Sequence, residues 1–420
     1  MPGSEAAREA APLAETPDLL ARRRTTGGFL FEQRGVGLLG TGEALRVEVP
    51  SGPDHVARAA EVAAAMLTGL AIPGAVVTGA LPYAGDMAAA LVVPAVTTLT
   101  KYRVREVRIG DARDVADTTA AALRGPVSGL EWRSQPSRVE YAQAVAEATR
   151  MIASGGLSKV VLSRAITAEY AGPMPVDALL RRLRMANPDC HIFAVPDTAG
   201  GVFLGATPET LVRRHGDAVL SFPLAGTAAR SADAATDRAN ADVLQRSAKD
   251  RSEHDFVVEA ITDVLGPLCR RLEVDVQPRL IATSAVWHLA TMIRGTLRAS
   301  APSALGLAAL LHPTPAVCGT PPGAAARLIE RLEGGSRGLY SGLVGWVDDR
   351  GDGEWAVSLR CARIGQGQIR LDAGSGIVAA SDPAAELAET DAKFRTMLDV
   401  LALDVPALEA GVTGTAATEA

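Results

Sequence analysis

The 420-residue chain is 48% hydrophobic and carries a formal net charge of −6. That is ample apolar content for a large core, and it offers no basic surface for nucleic acid. No run of about 18 uncharged apolar residues occurs, and the N-terminus lacks an apolar signal region, so a soluble cytoplasmic protein without membrane contact is expected.

In chain order, residues 1–25 are rich in Ala, Glu, Pro and Arg, and 406–420 in Ala, Thr and Gly. Both read as disordered, leaving 26–405 as one folded region with no linker-like stretch and no internal repeat. His55 to Leu70 has the spacing of an amphipathic helix, and 74–83 and 90–94 read as strands. Ser137 and Glu140 form a capping-box pattern that opens a helix, which Gly155 and Gly156 stop. The next segment, 158–164, reads as a strand with Lys159, Val161 and Ser163 on one face. A strand lysine is either an edge gatekeeper or a partly desolvated amine able to act as a base.

A helix is expected over 175–185, strands over 191–195 and 201–205, and then Glu209 beside Pro208 at the start of an apolar run. A hairpin around Gly216 leads to the Gly-containing bend at Pro223, Leu224, Ala225, Gly226 and Thr227. Two helices are expected over 232–272, the second presenting Asp250 and Glu253 at i, i+3. Strands follow over 279–283 and 287–294, and a helix over 303–311. Thr320 as cap and Pro321 at the first helical position start another helix. His254, His288 and His312 read, taken singly, as satisfied histidines near the core or a cap. A hairpin spans 338–360, and strand alternation points Arg360 with Ser358 and Ala356. Cys190, Cys269, Cys318 and Cys361 have neither CxxC nor Cys/His ligand spacing, which argues against a zinc site or a disulfide framework.

The last element carries the chemistry. Gly374 and Gly376 precede Pro383, a favourable first helical residue behind Ser381 or Asp382, so Glu386, Glu389 and Lys393 fall at i, i+3 and i+7 on one stripe. Leu387, Phe394, Met397, Leu398 and Leu401 form the buried stripe, so the charged one faces either water or a polar cavity. Only four of the 42 basic residues are lysines, Lys101, Lys159, Lys249 and Lys393. A chain that otherwise uses arginine keeps a flexible point charge, whose proton can be removed, at three of the stretches singled out here.

These segments, in this order, resemble the chorismate-utilising enzymes of menaquinone, siderophore and tryptophan biosynthesis, and within them the isochorismate synthases. The resemblance is carried by 158–164 around Lys159, by 203–209 ending in Glu209, and by 223–227. It continues through 249–254 with Asp250, Glu253 and His254, through 312–316 ending in Ala316, and through 337–342 with Tyr340. The segments 358–360 and 373–377 and the Glu386/Glu389 helix complete it, over about residues 75–400.

It implies an α+β fold, a single large domain of two packed antiparallel sheets flanked by helices, and an isomerase acting on chorismate with Mg2+. Lys159 is implied as the base that activates water for C2, and Glu209 as the acid that protonates the departing C4 hydroxyl. Glu253 and Glu386 would ligate the metal directly, with Asp250 and Glu389 reaching it through water. Tyr340 and Arg360 would hold the pyruvyl carboxylate. Gly226, Thr227, His288, Ala316, Gly374 and Lys393 would line the substrate. Aminating relatives tend to carry Gln at the position of Lys159, aminodeoxychorismate synthases a lysine at that of Ala225, and pyruvate-releasing relatives Thr at that of Ala316. The resemblance therefore implies water as nucleophile, a reaction that stops at isochorismate, and a monomer with no amidotransferase partner. The rivals are a salicylate synthase, an ammonia-using synthase, and a silent scaffold that merely binds divalent metal.

Overall fold

The structure is a computed structural model that describes residues 17–100, 105–109, 130–197 and 200–401; the expected tail at 406–420 and the first 16 residues lie outside these. The described strands pair antiparallel throughout, in three sheets. Eleven strands make the first. It runs from Gly319–Thr320 through Lys159–Glu169, Gln368–Ile377, Cys361–Gly365, Val202–Thr207 and His191–Pro196 to Phe29–Gln33, Val36–Thr41, Val96–Leu99 and Arg105–Arg108. Arg133–Gln135 adds beside Lys159–Glu169. Nine strands make the second, among them Thr210–His215, Gly353–Val357, Leu343–Asp348 and Val76–Leu81. A third, not foreseen from sequence, holds Leu224–Ala229, Val286–Ala290 and Arg279–Ala282.

The two large sheets meet in a dry layer. Phe29, Phe31, Leu38, Phe193 and Phe203 of the first pack with Val76, Val344, Trp346 and Ala356 of the second. Helices Leu19–Thr26, Val176–Ala186 and Pro383–Leu401 cover the other face of the first sheet. Helices His55–Leu70 and Ala304–Leu311 pack on the second. This is the α+β arrangement of two packed antiparallel sheets flanked by helices. Among the described residues no helix is long and apolar enough to cross a membrane, and the four cysteines are free and buried.

Local chemistry explains most boundaries. His55–Leu70 forms as expected, and Ser137 and Glu140 exchange both capping-box hydrogen bonds at the start of Arg138–Ala153. Five expectations are corrected. Leu19–Thr26, which lies almost wholly in the stretch expected to be disordered, is a helix that Asp18 caps, with Leu19 and Leu20 buried. The second of the helices expected over 232–272 is Ala248–Leu265; Gly266 and Pro267 end it, and Cys269–Val274 continues as a strand. The segment 287–294 is two strands in two different sheets, Val286–Ala290 and Ile293–Leu297. The chain crosses between them at Thr291, whose hydroxyl meets His254 Nε2 at 2.6 Å. The helix after 320 starts one residue later than expected, with Pro321 as cap and Pro322 inside, because Thr320 pairs with Lys159 as a short strand. Finally, the strand Gly353–Val357 stops short of Arg360, which sits in the left-handed region at φ +48°. Its direction is set by that turn and not by alternation.

Candidate active site

Lys159 opens the eleven-residue strand Lys159–Glu169, whose residues are buried on both faces save at the far end. The lysine is 0% exposed, which removes the edge-gatekeeper reading. Its Nζ lies 3.1 Å from Glu253 Oε1 without the alignment of a hydrogen bond, so its donors remain unspent. On the neighbouring strand Gln368–Ile377, Gly376 pairs opposite Val161. A Cβ at Gly376 would stand 2.0 Å from Glu253 Oε1 and 3.1 Å from Lys159 Cε. The glycine is there for space, and neither it nor Gly374 uses a positive φ.

Glu209 follows the strand Val202–Thr207 and is 2% exposed. Burial pushes its carboxyl up to about 8, with the charges of Lys159 and Lys393 pulling the other way. One carboxyl oxygen, Oε1, has no partner. The acid is therefore held protonated near neutrality with its oxygen free, the state a proton donor needs. Its interaction with Lys159 also puts the two groups within electrostatic reach of each other.

Glu209 shares the wall of a cavity with Gly226, Thr227, Glu253, His288, Ala316, Tyr340, Arg360, Gly374, Gly376 and Lys393, while Lys159, Asp250, Glu386 and Glu389 lie behind that wall. Ala225, singled out above as the position where aminodeoxychorismate synthases carry a lysine, also lines it, as do Val161, Ser341 and Asp372, which sequence reasoning had not named as site residues, and apolar neighbours such as Leu224, Val317 and Leu359. Ser341 sits at φ +60° with its hydroxyl buried and unpartnered. Its only sequence signal was its place in the Gly338 to Gly342 turn. About 60 Å3 of open space remains in this cavity. A larger cavity of about 390 Å3 lies over Ala63, Leu67, Ile72 and Val347. Its wall carries aspartates but no base or guanidinium, so chemistry and not size selects the smaller one.

Arg360 and His288 explain each other. A guanidinium only donates, so His288 Nε2 must accept from Arg360 Nη2 at 3.0 Å. The proton then sits on Nδ1, which donates to the Gly226 carbonyl at 3.1 Å. Burial, with Arg360 and Lys393 nearby, holds the imidazole well below its ordinary range and so neutral. His288, which taken singly read as a satisfied histidine, is satisfied, and by being so it aims the arginine. Arg360 Nη1 is left buried without a partner, a donor positioned for an anion. Tyr340 is buried beside it, which pushes its phenol up and keeps it protonated.

The acidic helices meet at the far side. Asp382 caps Pro383–Leu401 through the Ala385 amide at 2.9 Å, and Glu386 is buried. The charged stripe therefore faces the interior and not water. Glu386 Oε1 meets Lys249 Nζ at 2.6 Å. Glu389 meets Lys393 Nζ at 2.7 Å, and Lys393 also donates to the Gly374 carbonyl at 2.7 Å. Asp250 packs under Gly226, whose φ of +73° and missing Cβ allow the approach. Burial raises Asp250, and the charges of Glu253 and Glu389 add to it. Burial likewise raises Glu386, with Glu389 adding. Among the described residues no three acidic, His or Cys side chains gather tightly enough to hold an ion. The donor set has the chemistry a hard divalent cation needs, four carboxylates from two helices, but Glu253, Glu386 and Glu389 are paired with Lys159, Lys249 and Lys393 here, so a cation would have to replace those lysines.

Residues 98–402 match the family model of chorismate-binding enzymes. The chain is 42% identical over 334 residues to the isochorismate synthase DhbC of Bacillus subtilis, covering 78% of this chain and 81% of that protein. It superposes on the crystal structure of a putative 2,3-dihydroxybenzoate-specific isochorismate synthase from Bacillus anthracis with TM-score 0.81 at 36% identity, over 93% of this chain and 100% of that one. Anthranilate synthase component I from Streptococcus pneumoniae shares the fold, with TM-score 0.69 at 19% identity over 94% of this chain and 95% of that one.

Proposed function

The chain belongs to the chorismate-binding enzyme family, and from that premise we propose that it is an isochorismate synthase, an isomerase that moves a hydroxyl of chorismate from C4 to C2. The observation that carries the reading is Glu209: a buried, unpartnered carboxyl pushed up to about 8, on a cavity wall that also holds the unpartnered guanidinium nitrogen of Arg360.

In this mechanism Lys159 takes a proton from a water as that water bonds to C2. The ring double bond shifts, the C4–O bond breaks, and Glu209 delivers its proton to the leaving oxygen. One water is consumed and one released, so the reaction is an isomerisation. The free oxygen of Glu209 supports its role as acid, and Lys159 Nζ, buried without a hydrogen-bond partner, is open to take the proton when the amine is neutral. Arg360, aimed by His288, pairs with the pyruvyl carboxylate, and Tyr340 and Ser341 offer hydroxyls beside it. Gly226, Thr227, Gly374 and Lys393 shape the wall around the ring. Glu253 and Glu386, with Asp250 and Glu389 through water, would hold Mg2+, which when bound would neutralise these acids and clamp the ring carboxylate. Ala316 offers no hydroxyl to the enolpyruvyl group, which supports release of isochorismate with pyruvate still attached. Ala225 and Lys159 support water over ammonia, and hence an enzyme that needs no amidotransferase partner.

The test is product identification by chromatography with chorismate and Mg2+, with and without EDTA. Isochorismate that disappears with EDTA is expected. Salicylate with pyruvate, an ammonium-dependent product, or no turnover would each replace the reading. Lys159→Ala and Glu209→Gln should each lower kcat by about 10²–10⁴-fold while the protein stays folded.

A further inference from the structure

The strand that carries Lys159 is paired along its whole length on one edge by Gln368–Ile377. Its other edge is paired only in pieces. Gly319–Thr320 covers Val160 and Lys159, the Cys318 carbonyl accepts from the Val161 amide at 2.7 Å, and Arg133–Gln135 covers residues 165–167. Between them two side chains do what a strand would do. Arg337 Nη2 donates to the Val161 carbonyl at 2.8 Å, and Glu333 Oε1 accepts from the Ser163 amide at 2.7 Å. The two are joined to each other, Nε to Oε2 at 2.9 Å and Nη2 to Oε1 at 2.5 Å. Arg337 Nη1 reaches across to the Val317 carbonyl at 2.6 Å, the residue after Ala316, and the guanidinium lies over the Tyr83 ring at 4.3 Å.

Neither residue lines the cavity, yet both are buried. A buried ion pair of this kind is often no more stabilising than apolar residues of the same volume. What it supplies here is direction. One guanidinium fixes the strand of Lys159, the loop of Ala316, and the start of its own turn, which delivers Tyr340 and Ser341 three and four residues on.

We propose that Arg337 and Glu333 are a positioning pair for the isomerisation, a side-chain bridge that fills the gap in the strand edge and sets the proposed base against the wall that holds the enolpyruvyl group. The proposal rests on the isochorismate synthase reading. Misplacement of reacting groups by about 1 Å can cost around 10²-fold, so Arg337→Met should lower kcat by about that factor. KM for chorismate should change by less than about threefold, because the pair touches no ligand. Arg337→Lys, which keeps the charge but only part of the fork, should recover part of kcat. Glu333→Gln keeps an acceptor for the Ser163 amide and serves as the folded variant should Arg337→Met not fold; a loss of about tenfold in kcat is expected. Amide hydrogen exchange at Val161 and Ser163 should speed up in the arginine variants while exchange in Val76–Leu81 stays slow. Wild-type kcat in Arg337→Met or Glu333→Gln overturns the proposal. So does a kcat loss shared equally by Arg337→Lys and Arg337→Met with unchanged exchange at Ser163. If the wild-type chain itself makes no isochorismate, the functional reading fails, and the exchange data still report whether the pair holds the strand.

Discussion

Burial at Glu209 acts on chemistry and on stability in opposite senses. It keeps the acid protonated at neutral pH, since the group is pushed up from 4.5 to about 8. Between those values the folded protein binds a proton that the unfolded chain has lost, so stability is greatest below the ordinary carboxyl range and declines as pH rises toward 8. By linkage the effect at pH 7 is on the order of 3 kcal/mol. Glu209→Gln removes the titration, so its Tm should fall less than the wild type's between pH 5 and pH 8 in a calorimetric series. The wild type's kcat/KM should fall as pH passes about 8 and the acid ionises. A flat profile through pH 9 would remove Glu209 from the role. At Arg360 the charge-assisted hydrogen bond to the ligand is expected to contribute about 1.5–3 kcal/mol. Arg360→Lys should therefore lower kcat/KM for chorismate by about 10–100-fold, chiefly through KM, in steady-state kinetics.

The strand Gln368–Ile377 separates two kinds of steric constraint within three residues. A Cβ at Gly374 would meet the Leu162 carbonyl oxygen at 2.8 Å, and backbone cannot step aside. A Cβ at Gly376 would meet the end of the Glu253 side chain, which can. Gly374→Ala should thus cost stability, about 1–3 kcal/mol as overpacking does, read as a lowered denaturant midpoint. Gly376→Ala should leave the midpoint nearly unchanged and lower kcat by tenfold or more by pushing Glu253 off Lys159.

Much at this scale was legible in the sequence. The Ser137/Glu140 capping box and the i, i+3, i+7 stripe behind Pro383 both led to the right elements. What was not legible has physical causes. Lys159–Glu169 is buried on both faces, so no period of two marks its true length. Residues 286–297 change sheets at Thr291 without a glycine or proline to announce it. Arg360 and Ser341 take positive φ without being glycine, which a pattern of strand alternation cannot anticipate. The Arg337–Glu333 bridge joins residues to a strand some 170 positions earlier, a contact no local window contains.

Across the whole molecule the cavity draws on the first and third sheets, on the turns that enter and leave the second, and on both acidic helices, from Val161 to Lys393. Occupancy should therefore stabilise the folded region as one unit. Chorismate with Mg2+ at 100 times its Kd should add about 2.7 kcal/mol, seen as a single calorimetric transition moved upward and restored by EDTA. Two transitions of which only one responds would contradict that integration.

The lysines of the described region are graded in their access to solvent: Lys249 29% exposed, Lys393 14% and Lys159 0%. An amine-directed acylating reagent should therefore modify these three in that order, with Lys159 reacting only when the structure around it opens. The mass added at each position over time becomes a clock for how often that happens.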